Sequence, residues 1–566
     1  MAKKPDYKNE GLLLPPVLPD IKDWPIVKLL KKNKPFVEEV KTETLEEVKR
    51  ICQRDGISLQ QIIERAMYLE RIRIAEDPWK IDPKDDPKFW SRMKKELVDN
   101  EQFQSDPEAV LKKNLELADT IVERYATEIS SSFKPSTYHF AKRFLPFFFS
   151  TLLNASGARN IRNAIYHRIG LQEKVHLKGE IDALRTLAKK GTIILVPTHI
   201  SNVDSILVGW GLHALGLPAF IYGAGLNLFN SKLVGFFMGR LGAYKVDRRK
   251  KNAIYRATLD TYSTRAISHN VHSLFFPGGT RSRTGTIEKR LKLGLLGTAV
   301  EAQRLNLLPG GSGKKVFVVP MVMSYHFVLE AKSLINQHLK RTGQDKYYIL
   351  RDEFASYRKI LMFVWKTFGK TSEITLNFGK PMDLFGNFVD NEGNSYDAAG
   401  KELNIREYFM SGGEMKEDKQ RDEQYTRMLG DKIVERYHAE NHVFSSHLVA
   451  FVAFEMLKKR YARFDLYALL RLPQDERNIP IKAYLEKMNI VLERLREMRD
   501  QEKVMLAAHM EASTMDIIRH GIKNLGLYHD KRPLSFVKGG DLISENMNLL
   551  YYYHNRLEGY GLEKYI

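Results

Sequence analysis

His199 and Asp204 are the residues of this chain whose types and spacing could do chemistry. They stand in Val196-Pro197-Thr198-His199-Ile200-Ser201-Asn202-Val203-Asp204, directly after the apolar run Thr192–Val196. An imidazole can take up a proton near neutral pH. A carboxylate bonded to one ring nitrogen fixes its tautomer and stabilises the imidazolium that forms. Five residues along an ideal helix rotate by about 500°, which leaves two side chains on different faces. The pair can therefore meet only across a turn, with His199 at a strand end, Ser201 or Asn202 as a helix N-cap and Asp204 in the first helical turn. Alone the pattern is short, and a loop histidine followed by an aspartate complementing a helix dipole would write it equally well.

What lies downstream sharpens it. Between Arg240 and Lys292 there are thirteen basic residues and three acidic ones, a net +10 that is half the formal +20 of the 566-residue chain. Such an excess points to an anionic partner: nucleic acid, a phosphorylated metabolite or acidic lipid. Arg281 and Arg283 follow a strand-like run and the turn Gly278-Gly279-Thr280. There, main-chain N–H groups and guanidinium forks can converge on a phosphate.

The elements that must position these residues change along the chain. Residues 1–132 are charged and helical in pattern, broken at Asp77-Pro78, Asp82-Pro83 and Asp86-Pro87. Residues 133–408 alternate helical segments with apolar runs of strand length: Thr192–Val196, His272–Phe276, Val316–Val319 and Ile374–Phe378. This predicts an α/β unit whose sheet is covered on both faces by helices. A charged stretch with Gly412-Gly413 predicts a linker over 409–424. Residues 425–566 return to helix, with an apolar stripe of Leu485, Met488, Ile490, Val491, Leu492 and Leu495 in a helix expected over Ile481–Leu506. The uncharged stretch Ser205–Ser231 is long enough to cross a bilayer. Its glycines and Leu215-Gly216-Leu217-Pro218 instead predict a buried helix followed by a buried strand at Ala219–Tyr222.

Other signals fail on chemistry. The single cysteine, Cys52, excludes a disulfide framework and a thiolate zinc site, and reads as packing. With no apolar stretch of secretory length near Met1, the expected location is cytoplasmic. Pro309-Gly310-Gly311-Ser312-Gly313-Lys314-Lys315 has Leu308 and Lys315 where a phosphate-binding loop needs Gly and Ser or Thr. Gly223-Ala224-Gly225 lacks the third glycine of a dinucleotide fingerprint, since Leu228 stands there. His438 and His442 are one helical turn apart, but with His447 as the sole further candidate they read as a surface helix and no metal site is expected. Phe140–Leu153, rich in aromatics and flanked by Lys142 and Arg143, suits either a segment lying at a membrane interface or lining the entry of an apolar chain, or plain core packing against the sheet.

Taken in order, Val196–Asp204, Gly223–Leu228 with Arg240–Arg249, Phe275–Gly285 with Lys292–Leu296, and Val319–Glu330 resemble the four motif blocks of the membrane-bound glycerol-3-phosphate and dihydroxyacetone-phosphate O-acyltransferases. Glu545–Asn555 is similar to the end of that branch. The resemblance implies an α/β sheet sandwiched by helices and a glycerol-3-phosphate 1-O-acyltransferase acting at the cytoplasmic face of the cell membrane, as a peripheral or monotopic protein. His199 would take the proton from the sn-1 hydroxyl as it attacks an acyl thioester carried on coenzyme A or acyl carrier protein, with Asp204 orienting the ring. Arg248, Gly279, Arg281, Ser282, Arg283 and Lys292 would hold the substrate phosphate. No cofactor or metal is implied, because a thioester is already activated and general base catalysis contributes on the order of 10²–10⁴ in rate. The nearest alternatives are dihydroxyacetone phosphate or lysophosphatidate as acceptor. A nucleic-acid-binding protein is the alternative of another class, and the chain lacks the recognisable modules for it. A catalytically silent scaffold that keeps the lipid-binding shape is a third. The chain departs from the family's pattern at Gly278, where members commonly carry Glu before the glycine of the third block, so any role tied to that glutamate is in question here.

Overall fold

The computed structural model describes residues 13–31, 33–101, 106–142, 175–230, 232–342, 373–527 and 529–566. Most of the expected interfacial segment Phe140–Leu153 lies outside these residues. At the centre is a seven-stranded sheet: β1 (Val175–Gly179), β2 (Thr192–Pro197), β3 (Ile221–Gly225), β4 (Ala243–Val246), β5 (Ser273–Leu274), β6 (Val316–Tyr325) and β7 (Ile374–Phe378). Its order is β1-β7-β6-β2-β5-β3-β4. From β6 to β4 every pairing is parallel, whereas β7 runs antiparallel to β6 and carries β1 alongside it. Ligand sites of such sheets form beyond the carboxyl ends of the parallel strands, where His199 follows β2.

Alternation along the strands divides the core. Ile193 and Leu195 of β2 with Phe317, Val319, Met321 and Met323 of β6 face one side, whereas Ile194 and Val196 with Val316, Val318 and Val322 face the other. Both faces are covered by helix, so the strands read as unbroken apolar runs, as the sequence predicts for a sheet buried twice. The first face is covered by α-helices from the C-terminal third, Ser445–Arg460, Ile481–Asp500, Thr514–Asn524 and Met547–His554, which share one apolar cluster with the sheet. On the second lie Gly294–Leu307 and Lys419–Ala439.

Several expectations shift in detail. The strand over His272–Phe276 pairs only at Ser273–Leu274, because the chain then leaves the sheet for the Gly278-Gly279 turn. The buried strand expected at Ala219–Tyr222 runs instead over Ile221–Gly225. The helix expected to reach Leu506 stops at Asp500, and Glu502 adopts φ +56° just beyond it. Residues 409–424 hold a small hairpin, Met410–Ser411 with Glu414–Met415, and the start of the helix Lys419–Ala439. That helix ends before His442, which is buried in a short strand rather than lying on a surface helix with His438. Among the described residues no helix is long and apolar enough to cross a membrane.

The N-terminal helices Asn33–Asp55, Leu59–Glu76, Asp86–Glu101 and Pro107–Ile129 pack with Ala253–Ser268 against the β3–β4 end of the sheet. The Asp-Pro breaks fall where expected: one helix stops at Glu76 and the next begins at Asp86 with Pro87 behind it. Charge ties the two parts together. Arg249 donates to Asp82 Oδ2 at 3.1 Å and to Asp247 Oδ1 at 2.9 Å, and its guanidinium lies 3.9 Å from the Trp79 ring centroid. Lys250 pairs with Glu128, and Arg265 with Glu43. Three members of the basic run thus serve the interface between the helical region and the sheet. Arg249→Ala, which removes the guanidinium from buried Asp247 and one of the two that meet Asp82, is expected to cost about 3 kcal/mol in urea unfolding.

Candidate active site

Strand β2 ends at Pro197, and Thr198 closes the edge by donating its N–H to Met321 O at 2.9 Å. The turn that follows is built around one carboxylate. Asp204 opens the helix Asp204–Ala214 with no exposed surface, and its Oδ2 accepts from the main-chain N–H of Ile200 at 2.6 Å and of Ser201 at 2.8 Å. The same oxygen lies 2.8 Å from His199 Nδ1. Tyr325, at the end of β6, donates its hydroxyl to Oδ1 at 2.6 Å. Burial, reinforced by the neighbouring carboxylate, pushes the Tyr325 phenol well above its ordinary pKa, so it remains a donor. Val203, rather than Ser201 or Asn202, occupies the N-cap.

This arrangement assigns the His199 nitrogens. With Nδ1–H given to Asp204, Nε2 is the basic atom, and the side chain keeps 21% exposure, enough to be reached. The ring stacks on Phe276, centroids 4.3 Å apart and planes inclined by 28°. Its main chain is held as well. Ser282 N–H donates to His199 O at 2.7 Å, and His199 N–H donates to Glu288 Oε1 at 2.9 Å.

The expected phosphate ligands separate into two groups. Ser282 touches His199 directly, while Arg281 meets Glu330 at 3.5 Å. Glu330 accepts from Ser201 Oγ at 3.0 Å and Asn202 N–H at 2.9 Å. Gly279 has φ +74°, and a Cβ there would lie 3.0 Å from Lys292 Cγ, so the lysine stem runs across the turn. Lys292 N–H in turn donates to Pro277 O at 2.7 Å. Arg283 belongs to the same loop and its charge acts on His338. Arg248 is exposed just past β4, three strands from β2 and hence roughly 14 Å along the sheet edge, at the far rim.

Residues to which the sequence assigned no role complete the site. Tyr325 and Glu330 lie in the fourth block, where their types were visible but not their target. Arg556, 4% exposed, donates from Nη2 to Met323 O at 2.8 Å and from Nε to Asn441 Oδ1 at 2.9 Å, bracing the end of β6. His447 donates Nε2–H to Tyr325 O at 3.0 Å while Nδ1 accepts Phe444 N–H; burial, with help from Arg556, brings its pKa down to about 3 and keeps it neutral.

The described residues best grouped to hold a metal ion are His326, His509 and His520, with ligating atoms within 4.8 Å of one another. Hydrogen bonds engage four of their six ring nitrogens, leaving His326 Nε2 and His509 Nδ1 without one. Ser445 N–H occupies His509 Nε2, and both nitrogens of His520 are engaged by Ser445 Oγ and Asn524. His326 Nδ1 meets Ser446 Oγ at 3.0 Å.

The described geometry is thus a carboxylate-oriented histidine beside a cationic turn at the carboxyl edge of a parallel sheet. Residues 178–324 match the family model described as Acyltransferase. It is 29% identical over 283 residues to the glycerol-3-phosphate acyltransferase of Ectopseudomonas mendocina (strain ymp), covering 50% of this chain and 30% of that protein. Over 272 residues it is 28% identical to the glycerol-3-phosphate acyltransferase of Pseudoalteromonas atlantica (strain T6c / ATCC BAA-1087), covering 48% and 29%. The chain thus spans about 30% of the length of these curated relatives. A solved structure with some likeness is the 1-acyl-sn-glycerophosphate (LPA) acyltransferase of Thermotoga maritima, at 15% identity and a TM-score of 0.24, covering 53% of this chain and 92% of that one.

Tyr325→Phe removes one of four donors to Asp204 and is expected to lower kcat about tenfold. Asp204→Asn, which disrupts the tautomer of His199, is expected to lower it by about 10⁴. Circular dichroism should show both variants folded.

Proposed function

We propose that this protein is a glycerol-3-phosphate 1-O-acyltransferase that moves a fatty acyl group from coenzyme A or acyl carrier protein to glycerol 3-phosphate. The observation that carries the reading is the His199–Asp204 contact at 2.8 Å beside the Arg281–Ser282–Arg283 loop. The acceptor's hydroxyl gives its proton to Nε2 of His199 as its oxygen attacks the thioester carbonyl. The imidazolium, stabilised by Asp204, returns that proton to the departing sulfur as the tetrahedral intermediate collapses to ester and thiol. Arg281, Arg283 and Lys292 would supply phosphate contacts, with Arg248 at the rim. No metal or organic cofactor is called for in these steps.

We further propose that the protein works at a membrane surface, on its cytoplasmic face. Support comes from the segments that follow β3. Leu228 and Phe236 are 42% and 46% exposed, and Arg240 stacks on Phe236 at 3.7 Å. Phe237 stacks with Phe140, centroids 5.9 Å apart. Leu228, Phe236 and Phe237 follow the carboxyl end of β3, the sheet edge that also bears His199, so a lipid surface met there would deliver acyl chains to the site.

Purified protein assayed with palmitoyl-CoA and palmitoyl acyl carrier protein against glycerol 3-phosphate, dihydroxyacetone phosphate and lysophosphatidate is expected to turn over glycerol 3-phosphate fastest. His199→Ala should abolish transfer, and Arg281→Ala should chiefly raise KM for the phosphate substrate. Preference for another acceptor would replace the substrate, and undiminished turnover by His199→Ala would remove the mechanism. In flotation with vesicles containing anionic phospholipid, Leu228→Ser/Phe236→Ser should lose most of the binding shown by the parent chain; equal flotation would reject this face.

A further inference from the structure

Glu288 is one of three acidic residues in the strongly basic stretch, and the acyl-transfer steps above do not use it. Its placement is specific. Oε1 accepts the main-chain N–H of His199, while Ser282 of the same loop donates to the main-chain carbonyl of His199. Both peptide groups of the general base are therefore held by residues 282–288. That loop is itself fixed. Ser282 Oγ donates to Thr286 O at 2.9 Å, and the Thr284 and Thr286 hydroxyls meet at 2.8 Å. Gly285 adopts φ +83° against the Tyr552 carbonyl, where a Cβ would lie 2.2 Å from the oxygen. Asn555 Nδ2 donates to Thr284 O at 2.9 Å.

The carboxylate has room because residue 278 has no side chain. A Cβ at Gly278 would sit 3.0 Å from Glu288 Cγ and 3.1 Å from its Oε1. Residue 278 and Glu288 thus compete for one volume, and here the acid enters it from ten residues downstream.

We propose that Glu288 is a positioning residue for acyl transfer, whose carboxylate fills the space left open by Gly278, fixes the His199 main chain and favours the imidazolium formed when the base is protonated. This rests on reading His199 as the base. Burial raises the carboxyl's pKa, while the His199 N–H, Arg556 and the imidazole draw it back toward ionisation. The hydrogen bond alone would be a structural role, and the charge is what an isosteric amide removes.

The test compares the full chain with Glu288→Gln, Glu288→Gly and the double variant Gly278→Glu/Glu288→Gly, using glycerol 3-phosphate and palmitoyl-CoA. Glu288→Gln should fold normally, lower kcat about tenfold and leave KM for glycerol 3-phosphate within about twofold. Glu288→Gly should lose more, and returning a carboxylate from position 278 should recover at least about tenfold. Parental kcat in Glu288→Gln, or a double variant no better than Glu288→Gly, would overturn the role while leaving the enzyme reading standing. A parent chain with no transfer activity would sink both.

Discussion

A carboxylate withdrawn from water must be satisfied by donors, and the site depends on how Asp204 meets that demand. Its desolvation would cost several kcal/mol if uncompensated. Two main-chain N–H groups, the Tyr325 hydroxyl and His199 Nδ1 compensate it from three sides. The two N–H groups belong to the turn itself, so satisfying the charge also sets the path from β2 into the helix. The imidazole and the carboxylate are thereby fixed by one closed set of bonds, and neither can move without exposing an unpaired donor or acceptor.

The C-terminal third braces this set from behind. Tyr325 lies where β6 leaves the sheet, and that end is braced by Arg556 on Met323 O and by His447 on Tyr325 O. Tyr552 and Asn555 press on the loop that carries Ser282 and Glu288 to His199. Tyr552 and Asn555, remote in sequence from His199, thus shape the back wall of the site.

Legibility followed sequence distance. His199 and Asp204 were readable because a five-residue interval admits contact only across a turn, and β2, β6 and β7 because strands buried on both faces show as unbroken apolar runs. Tyr325, Glu288 and Glu330 reach their partners across 121, 89 and 128 positions, and no local pattern records such contacts. The N-cap assignment failed for the same reason. Ser201 and Asn202 are good capping residues, yet the helix begins only at Asp204, after a turn in which Ser201 Oγ and Asn202 N–H donate to the distant Glu330. The helix beyond Asp500 was misjudged because apolar spacing continued past a residue with positive φ that periodicity does not register.

Charge was the least transparent signal. A net +10 between Arg240 and Lys292 suggests one cationic patch, but Arg249, Lys250 and Arg265 are committed to carboxylates of the N-terminal helices. Those ion pairs hold the β3–β4 end in place and contribute little to anion capture. Arg281 differs in kind. Its partner Glu330 already holds two other donors, from Ser201 and Asn202, and the contact itself is long at 3.5 Å. What the cations of this stretch do thus depends less on how many the sequence carries than on which carboxylate each one meets.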